Sequence, residues 1–398
     1  MATVDSLQNA LESAVSLAKN GELSETARVN LLEATTKLTI ALQKPEDALI
    51  KLAYAPTQLT SIRVFMELGL FKVIVDNATV TSKHLAEKSG ADEVLLQRLA
   101  RVLVAAGLVD ESDEYTYSPN AMTKSLATRL MEGTMVGHYD VGLKPQVVIP
   151  EFLKKTDYKN PEDQFNSPLD LAYGLENKGL FQYLAENPNA AKTMNTLWEA
   201  NRGSRPCWVD WFPVKEKLLD VKPLNPEAPL LVDVSGGRGQ DLIMFTKKFS
   251  ADYPGKFVLH DLPEVCSDHT VPLDMTRVEK KPYNFFHDKV VAGARIYYMK
   301  HILHDWSFEH SLTILNNVTT QMTKGYSNLV IEDFVLPDKG CPLLPAMWDI
   351  IMMGYLAAME RTKSQWQELL DAAGLEIEGF YNPPGDGNAI IITKLKGT

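Results

Sequence analysis

The stretch "PLLVDVSGGRGQDL" (Pro229–Leu242) decides the fold. Its first half is a continuous apolar run, and the run stops at glycines. That pattern predicts a buried parallel strand feeding a loop. The segment "QDLIMFTKKFSADY" (Gln240–Tyr253) then carries apolar residues at helical spacing. Working outward, "KFVLHDLP" (Lys256–Pro263), "GARIYYMKHIL" (Gly293–Leu303), "NLVIEDFVLP" (Asn328–Pro337) and "NAIIITKL" (Asn388–Leu395) read as further strands. The segment "EHSLTILNNVTTQM" (Glu309–Met322) reads as a helix between two of them. Strands alternating with helices imply an open, mostly parallel α/β sheet. Ligands on such sheets bind at the carboxyl ends of the strands.

The loop after the first strand holds Gly236, Gly237 and Gly239. Glycines there let the backbone turn tightly and approach a ligand. Gly237-Arg238-Gly239 is followed by Gln240 and Asp241, so the G-x-G-x-x-G dinucleotide pattern is incomplete. No Gly-Lys-Ser/Thr follows, so it is not a P-loop. Asp233, at the strand end, suits a ligand with a cationic group better than a phosphate. Asp261 ends the next strand, where an acid accepts from ribose hydroxyls. Asp288, in "NFFHDK", is placed to meet an adenine edge. An adenosine without phosphate fits all three acids.

The segment "YYMKHILHDWSFEH" (Tyr297–His310) packs three of the chain's eight histidines into ten residues. His301 and His304 fall where a strand becomes a loop, not on one helical face. Neither belongs to an H-E-x-x-H motif, so no metal is expected there.

The remaining chain of 398 residues is long enough for two domains. Residues 6–43 read as two helices split by "NGEL", with Ser24 as N-cap of the second. Residues 57–126 read as helix, turn, helix and a short hairpin, the pattern of a winged helix-turn-helix. The net charge of −11 and the scarcity of basic residues on the second helix argue against nucleic acid. An interaction or dimerisation role is the better reading. Residues 127–215 are helical and rich in aromatics, with Trp198, Trp208, Trp211 and Phe212 as candidate pocket residues. No apolar run approaches a membrane span. "MATVDSLQNALESAV" lacks a basic start and an apolar core, so no signal peptide is expected. Three scattered cysteines suit a reducing compartment, and the cytoplasm is the expected location.

Taken together, "ELGLF", "LVDVSGGRGQDL", "LHDLPEV", "FFHD", "GARIYYMKHILHDW", "LPAMWDIIMM" and "ERTKSQWQELLDAAGL" resemble, in order, the S-adenosylmethionine-dependent O-methyltransferases. The resemblance is to the caffeate O-methyltransferase-like class and its fungal secondary-metabolism branch. It implies a Rossmann-like, mostly parallel seven-stranded domain over residues 216–398. It further implies a helical and winged-helix dimerisation domain over 1–126, a helical linker over 127–215, and a homodimer. The implied cofactor is S-adenosylmethionine, leaving as S-adenosylhomocysteine. The resemblance assigns the cofactor to Asp233, Gly236, Gly237, Gly239, Asp261, Leu262, Asp288 and Lys300. It makes His304 the general base, held by Glu360 and by Asp333 where the family usually has Glu. His138, Trp198, Asp305, Asp349 and Met353 are expected to face a small aromatic or polyketide-type acceptor.

Three departures stand out. Ser235 replaces the first glycine of the usual loop and is expected to hold an ordinary strand-end conformation. Asp333 is one carbon shorter than Glu, so its hold on His304 should be looser. Phe308 stands where an acid is usual. Some fungal members of this family keep the cofactor but catalyse pericyclic or dehydrative steps, with Lys or Arg at the histidine position. His304 therefore favours methyl transfer, with that second chemistry as the alternative.

Overall fold

The seven-stranded sheet is built around five central strands whose side chains are mostly apolar and buried. The computed structural model describes residues 4–397 apart from 201, 202, 204, 254, 268–272, 275, 384 and 386. The chain divides after Thr57 into two compact units. The first contains helices Val4–Lys19, Glu25–Leu42 and Pro45–Tyr54. The Ser24 side chain accepts from Ala27 N and caps the second of these, as expected. Pro45 and Pro56 each open a helix, where a missing N–H costs nothing. None of the three helices buries a residue.

The second unit contains, near its start, helices Leu70–Asn77, Ser82–Ser89 and Glu93–Ala105. Strand β1 (Val80–Thr81) and the hairpin β2 (Asp110–Asp113) and β3 (Thr116–Ser118) form a small antiparallel sheet beside them. Helix, helix and hairpin thus follow in the order read from the sequence. Phe65, Leu70, Ile74, Leu85, Leu96 and Leu103 close this core without solvent access.

The large sheet contains β4 (Pro229–Val234), β5 (Lys256–Asp261), β6 (Val278–Pro282), β7 (Ile296–Lys300), β8 (Asn328–Asp333), β9 (Leu375–Tyr381) and β10 (Ala389–Leu395). Their order is β6-β5-β4-β7-β8-β10-β9. Strands β4 to β8 are mutually parallel, while β10 runs antiparallel to both neighbours. The strand order reverses between β4 and β7. That switch point opens a crevice at their carboxyl ends, where Asp233 and Lys300 stand. One face of the sheet packs Val232, Tyr297, Ile331 and Ile391 against the helices Phe308–Thr319 and Lys363–Ala372. The other packs Leu231, Tyr298, Val330 and Ile390 with Trp208, Phe212 and Phe245. No described helix is long and apolar enough to cross a membrane.

Candidate active site

At the end of β4 the backbone turns through a residue that is not glycine. Ser235 has φ of +57°, in the left-handed region. This corrects the expectation of an ordinary strand-end conformation. The chain keeps the glycine geometry and carries the strain of a Cβ there. Gly236 has no such freedom to change. A Cβ on it would collide with the Asp233 carboxylate. Gly237 donates its N–H to Asp261 Oδ2 at 2.8 Å, and Gly239, at φ +82°, starts the helix Gln240–Phe249.

Asp233 is 2 % exposed, and its Oδ2 finds no hydrogen-bond partner among the described residues. Burial, reinforced by Asp241 and Asp261, drives its pKa well up. A buried carboxylate with an idle oxygen is what a cationic ligand completes. Asp261 uses Oδ1 to accept from Leu262 N at 2.7 Å. Burial pushes it up to about 6, against those two backbone donors. Asp233, the glycines and Asp261 therefore meet around one loop. Asp288 is exposed and accepts from Asn284 N at 2.8 Å, closing a turn. Lys300 Nζ sits 2.8 Å from Asp241 Oδ2 and 3.7 Å from Glu332 Oε1. Tyr298 Oη donates to Glu332 Oε2 at 2.5 Å. Asp241 and Tyr298 lie inside the blocks that carry the family resemblance, but the sequence reading gives neither a role.

His304 occupies a short 3-10 turn, Leu303–Asp305, just beyond β7. It is 4 % exposed. Its Nδ1 lies 2.6 Å from Glu360 Oε1 and 3.6 Å from Asp333 Oδ1. Its Nε2 lies 3.3 Å from Asp305 Oδ1. Glu360 is pinned by its own N–H, which donates to Asp349 Oδ1 at 2.8 Å. Arg361 donates to the carbonyls of Leu303 and Trp306 and so fixes the turn. Burial lowers the His304 pKa, but Glu360, Asp333 and Asp305 outweigh it and raise it to about 10. Burial raises Asp305 to about 7.

Asp333 does stand off from His304, as its shorter side chain requires. The space is taken by His301, whose Nδ1 is 3.4 Å from Asp333 Oδ1. His301 Nε2 is 2.7 Å from Asn388 Nδ2, and its ring lies 4.9 Å from that of His304. Nothing in the sequence gives His301 a role, because Asp333 and Asn388 reach it from distant strands. A small cleft beside it is lined by Arg205, Trp211, His301, Glu332, Trp348 and Asn388.

The acceptor candidates divide. His138 begins a π-helical turn, His138–Gly142, and its Nδ1 is 3.5 Å from Tyr355 Oη. Burial lowers its pKa. Asp349 and Met353 lie on the helix Leu343–Leu356 with Tyr355. Trp198 packs at a tilt of 42° against Phe181, which in turn stacks on Trp306 of the His304 loop. Trp208 and Phe212 are instead core residues, and Trp211 reaches the small cleft. Phe308 lies just after Ser307, whose Oγ caps the following helix.

Comparison with known proteins adds to this geometry. Residues 166–376 match a family model described as an O-methyltransferase domain, and residues 58–129 one described as an O-methyltransferase dimerisation domain. The chain is 35 % identical over 379 residues to O-methyltransferase penC of Penicillium thymicola, covering 93 % of this chain and 92 % of that one. Among solved structures it resembles LepI in complex with SAM, at a TM-score of 0.90 and 26 % identity, over 99 % of this chain and 100 % of that chain. A structure titled "A Pericyclic Reaction enzyme" matches equally well, at 0.90 and 26 %, over 98 % and 99 %.

Proposed function

This chain belongs to the S-adenosylmethionine-dependent O-methyltransferase family, and from that premise we propose that it methylates a hydroxyl of a small aromatic or polyketide-type metabolite, with His304 as general base. When bound, S-adenosylmethionine supplies an electrophilic methyl on a sulfonium. The idle, desolvated oxygen of Asp233 suits the cationic part of that molecule, and Gly236 keeps the space beside it clear. Asp261 is the carboxylate for its ribose, with Leu262 alongside. The exposed Asp288 and the paired Lys300 are kept as outer contacts.

The observation that carries the reading is the His304–Glu360 contact of 2.6 Å. A carboxylate on Nδ1 fixes the tautomer and leaves Nε2 to take a proton. A phenol has a pKa near 10, so a protein base is needed at neutral pH. Raised to about 10, His304 matches a phenol in proton affinity, and transfer between them is nearly level in free energy. Asp333 and Asp305 stabilise the imidazolium that forms. His138, Trp198, Asp349 and Met353 supply the acceptor pocket. We assign the dimer to the region matching the dimerisation model.

His304→Ala should lower transfer of labelled methyl by about 10²–10⁴-fold. Cofactor affinity by calorimetry should be unchanged. Full turnover in the variant would remove His304 as the base.

One observation favours a second reading. A histidine raised to about 10 is a cation at neutral pH and can donate to a substrate carbonyl. Rearrangement or dehydration with the cofactor retained would use it so. Product formed without consumption of labelled cofactor supports that chemistry.

A further inference from the structure

We infer that His301, His304 and Asp333 form a binding site for one Zn²⁺ ion, and that the ion switches the base off. The three offer ligand atoms that all lie within 4.8 Å of one another. Asp333 Oδ1 is 3.4 Å from His301 Nδ1 and 3.6 Å from His304 Nδ1. Ligands on a tetrahedral ion with bonds of about 2.0–2.1 Å are separated by about 3.3 Å. Two separations in the cluster are thus near those of a zinc shell, and Glu360 Oε1, 2.6 Å from His304 Nδ1, moves aside as the ion enters.

The second observation is the state of the ligands. Asp333 is fully buried, yet neither of its oxygens has a hydrogen-bond partner among the described residues. His301 Nδ1 and Glu360 Oε2 are buried and idle in the same sense. Buried polar atoms are nearly always satisfied, so the idle Asp333 oxygens beside the idle His301 Nδ1, 3.4 Å from Oδ1, call for a partner. The group holds three protein ligands, which leaves the fourth position to water.

Metal-bound histidines usually donate their second ring N–H to an acceptor. His304 Nε2 faces Asp305 Oδ1 at 3.3 Å. His301 Nε2 faces the side-chain amide of Asn388 at 2.7 Å, and that amide presents an acceptor oxygen when turned over. The entry path is the small cleft that His301 and Asn388 line. Two nitrogens and carboxylate oxygens suit zinc better than magnesium or calcium, which take oxygens alone.

The shut-off follows from imidazole chemistry and rests on the reading of His304 as base. A neutral imidazole has one lone pair in the ring plane and one N–H. Zinc on Nδ1 uses the lone pair and leaves the proton on Nε2. Any proton previously on Nδ1 leaves to solvent as the N–Zn bond forms. Nε2–H cannot then accept a proton from a hydroxyl.

The test uses the full chain stripped with chelator. Titration with Zn²⁺ alone should show one ion per chain by calorimetry. Co²⁺ should give the visible absorption of a four-coordinate ion in the unmutated protein. His301→Asn and Asp333→Asn should each weaken binding at least tenfold; Asn tolerates the φ of +50° at position 301. Zinc should inhibit methyl transfer by the parent chain, and chelator should restore it. His301→Asn should stay active in zinc. Absence of stoichiometric binding, or equal binding by all three proteins, would overturn the site. Tight binding without inhibition would overturn the switch. The binding arm needs no turnover, so loss of the methyl-transfer reading alone leaves it standing.

Discussion

Ser235 tests how much strain the cofactor loop carries. An L residue in the left-handed region costs roughly 1–2 kcal/mol, a penalty glycine escapes. With φ at +57°, Ser235→Gly should stabilise the chain by about 1 kcal/mol, read as a higher urea midpoint at unchanged m-value. Gly236→Ala should act oppositely. Its Cβ would press on the Asp233 carboxylate, so cofactor affinity should fall at least tenfold by calorimetry. His304 gives the residue-scale pH test. Its folded pKa is raised, so below about 10 the fraction with Nε2 free grows as pH rises. Methyl transfer should therefore climb between pH 6 and 9. A cationic His304 acting as donor predicts the reverse: a flat rate that falls as pH passes the same pKa. Comparing the two slopes separates base from donor.

At the scale of elements, the legible strands were the central ones. Strands β4, β5, β7, β8 and β10 are buried on both faces, so their sequences are near-continuous apolar runs. Strands β6 and β9 escape a residue-level reading and enter only through the family resemblance. Both are edges of the sheet. "VEKKP" is short and lysine-bearing, as edges that resist further pairing are. The π-turn His138–Gly142 is equally silent, because no side-chain period marks a single inserted residue. Gly142 lies under Tyr355: a Cβ there would collide with its Oη and stand 3.3 Å from His138 Nδ1. Gly142→Ala should cost about 1–3 kcal/mol of stability in urea. It should also raise KM for the acceptor while cofactor affinity holds, since the clash lies among the acceptor candidates.

At the scale of the whole molecule, Asp233, Asp261 and Asp333 were readable because they stand at the carboxyl ends of strands, and His304 because it follows one; Glu360, between two helices, was readable only through the family motif. His301, Asn388 and Trp348 were not, since only the tertiary fold joins them. The first unit poses the remaining question. Its three helices bury nothing, and Ile40 at 69 %, Leu42 at 75 % and Leu52 at 69 % are among their most exposed apolar side chains. Isolated helices of this length are marginal in water without an apolar face to pack on. The next residues, 58–129, match a dimerisation domain, so a second copy of the chain is the nearest source of cover. Deleting residues through Thr57 should therefore lower the association state seen by light scattering. The remaining chain keeps its own cores, so its cofactor affinity by calorimetry should match that of the full protein. An unchanged oligomer after deletion would mean that residues 58–129 alone hold the copies together, and that the exposed helices serve another contact.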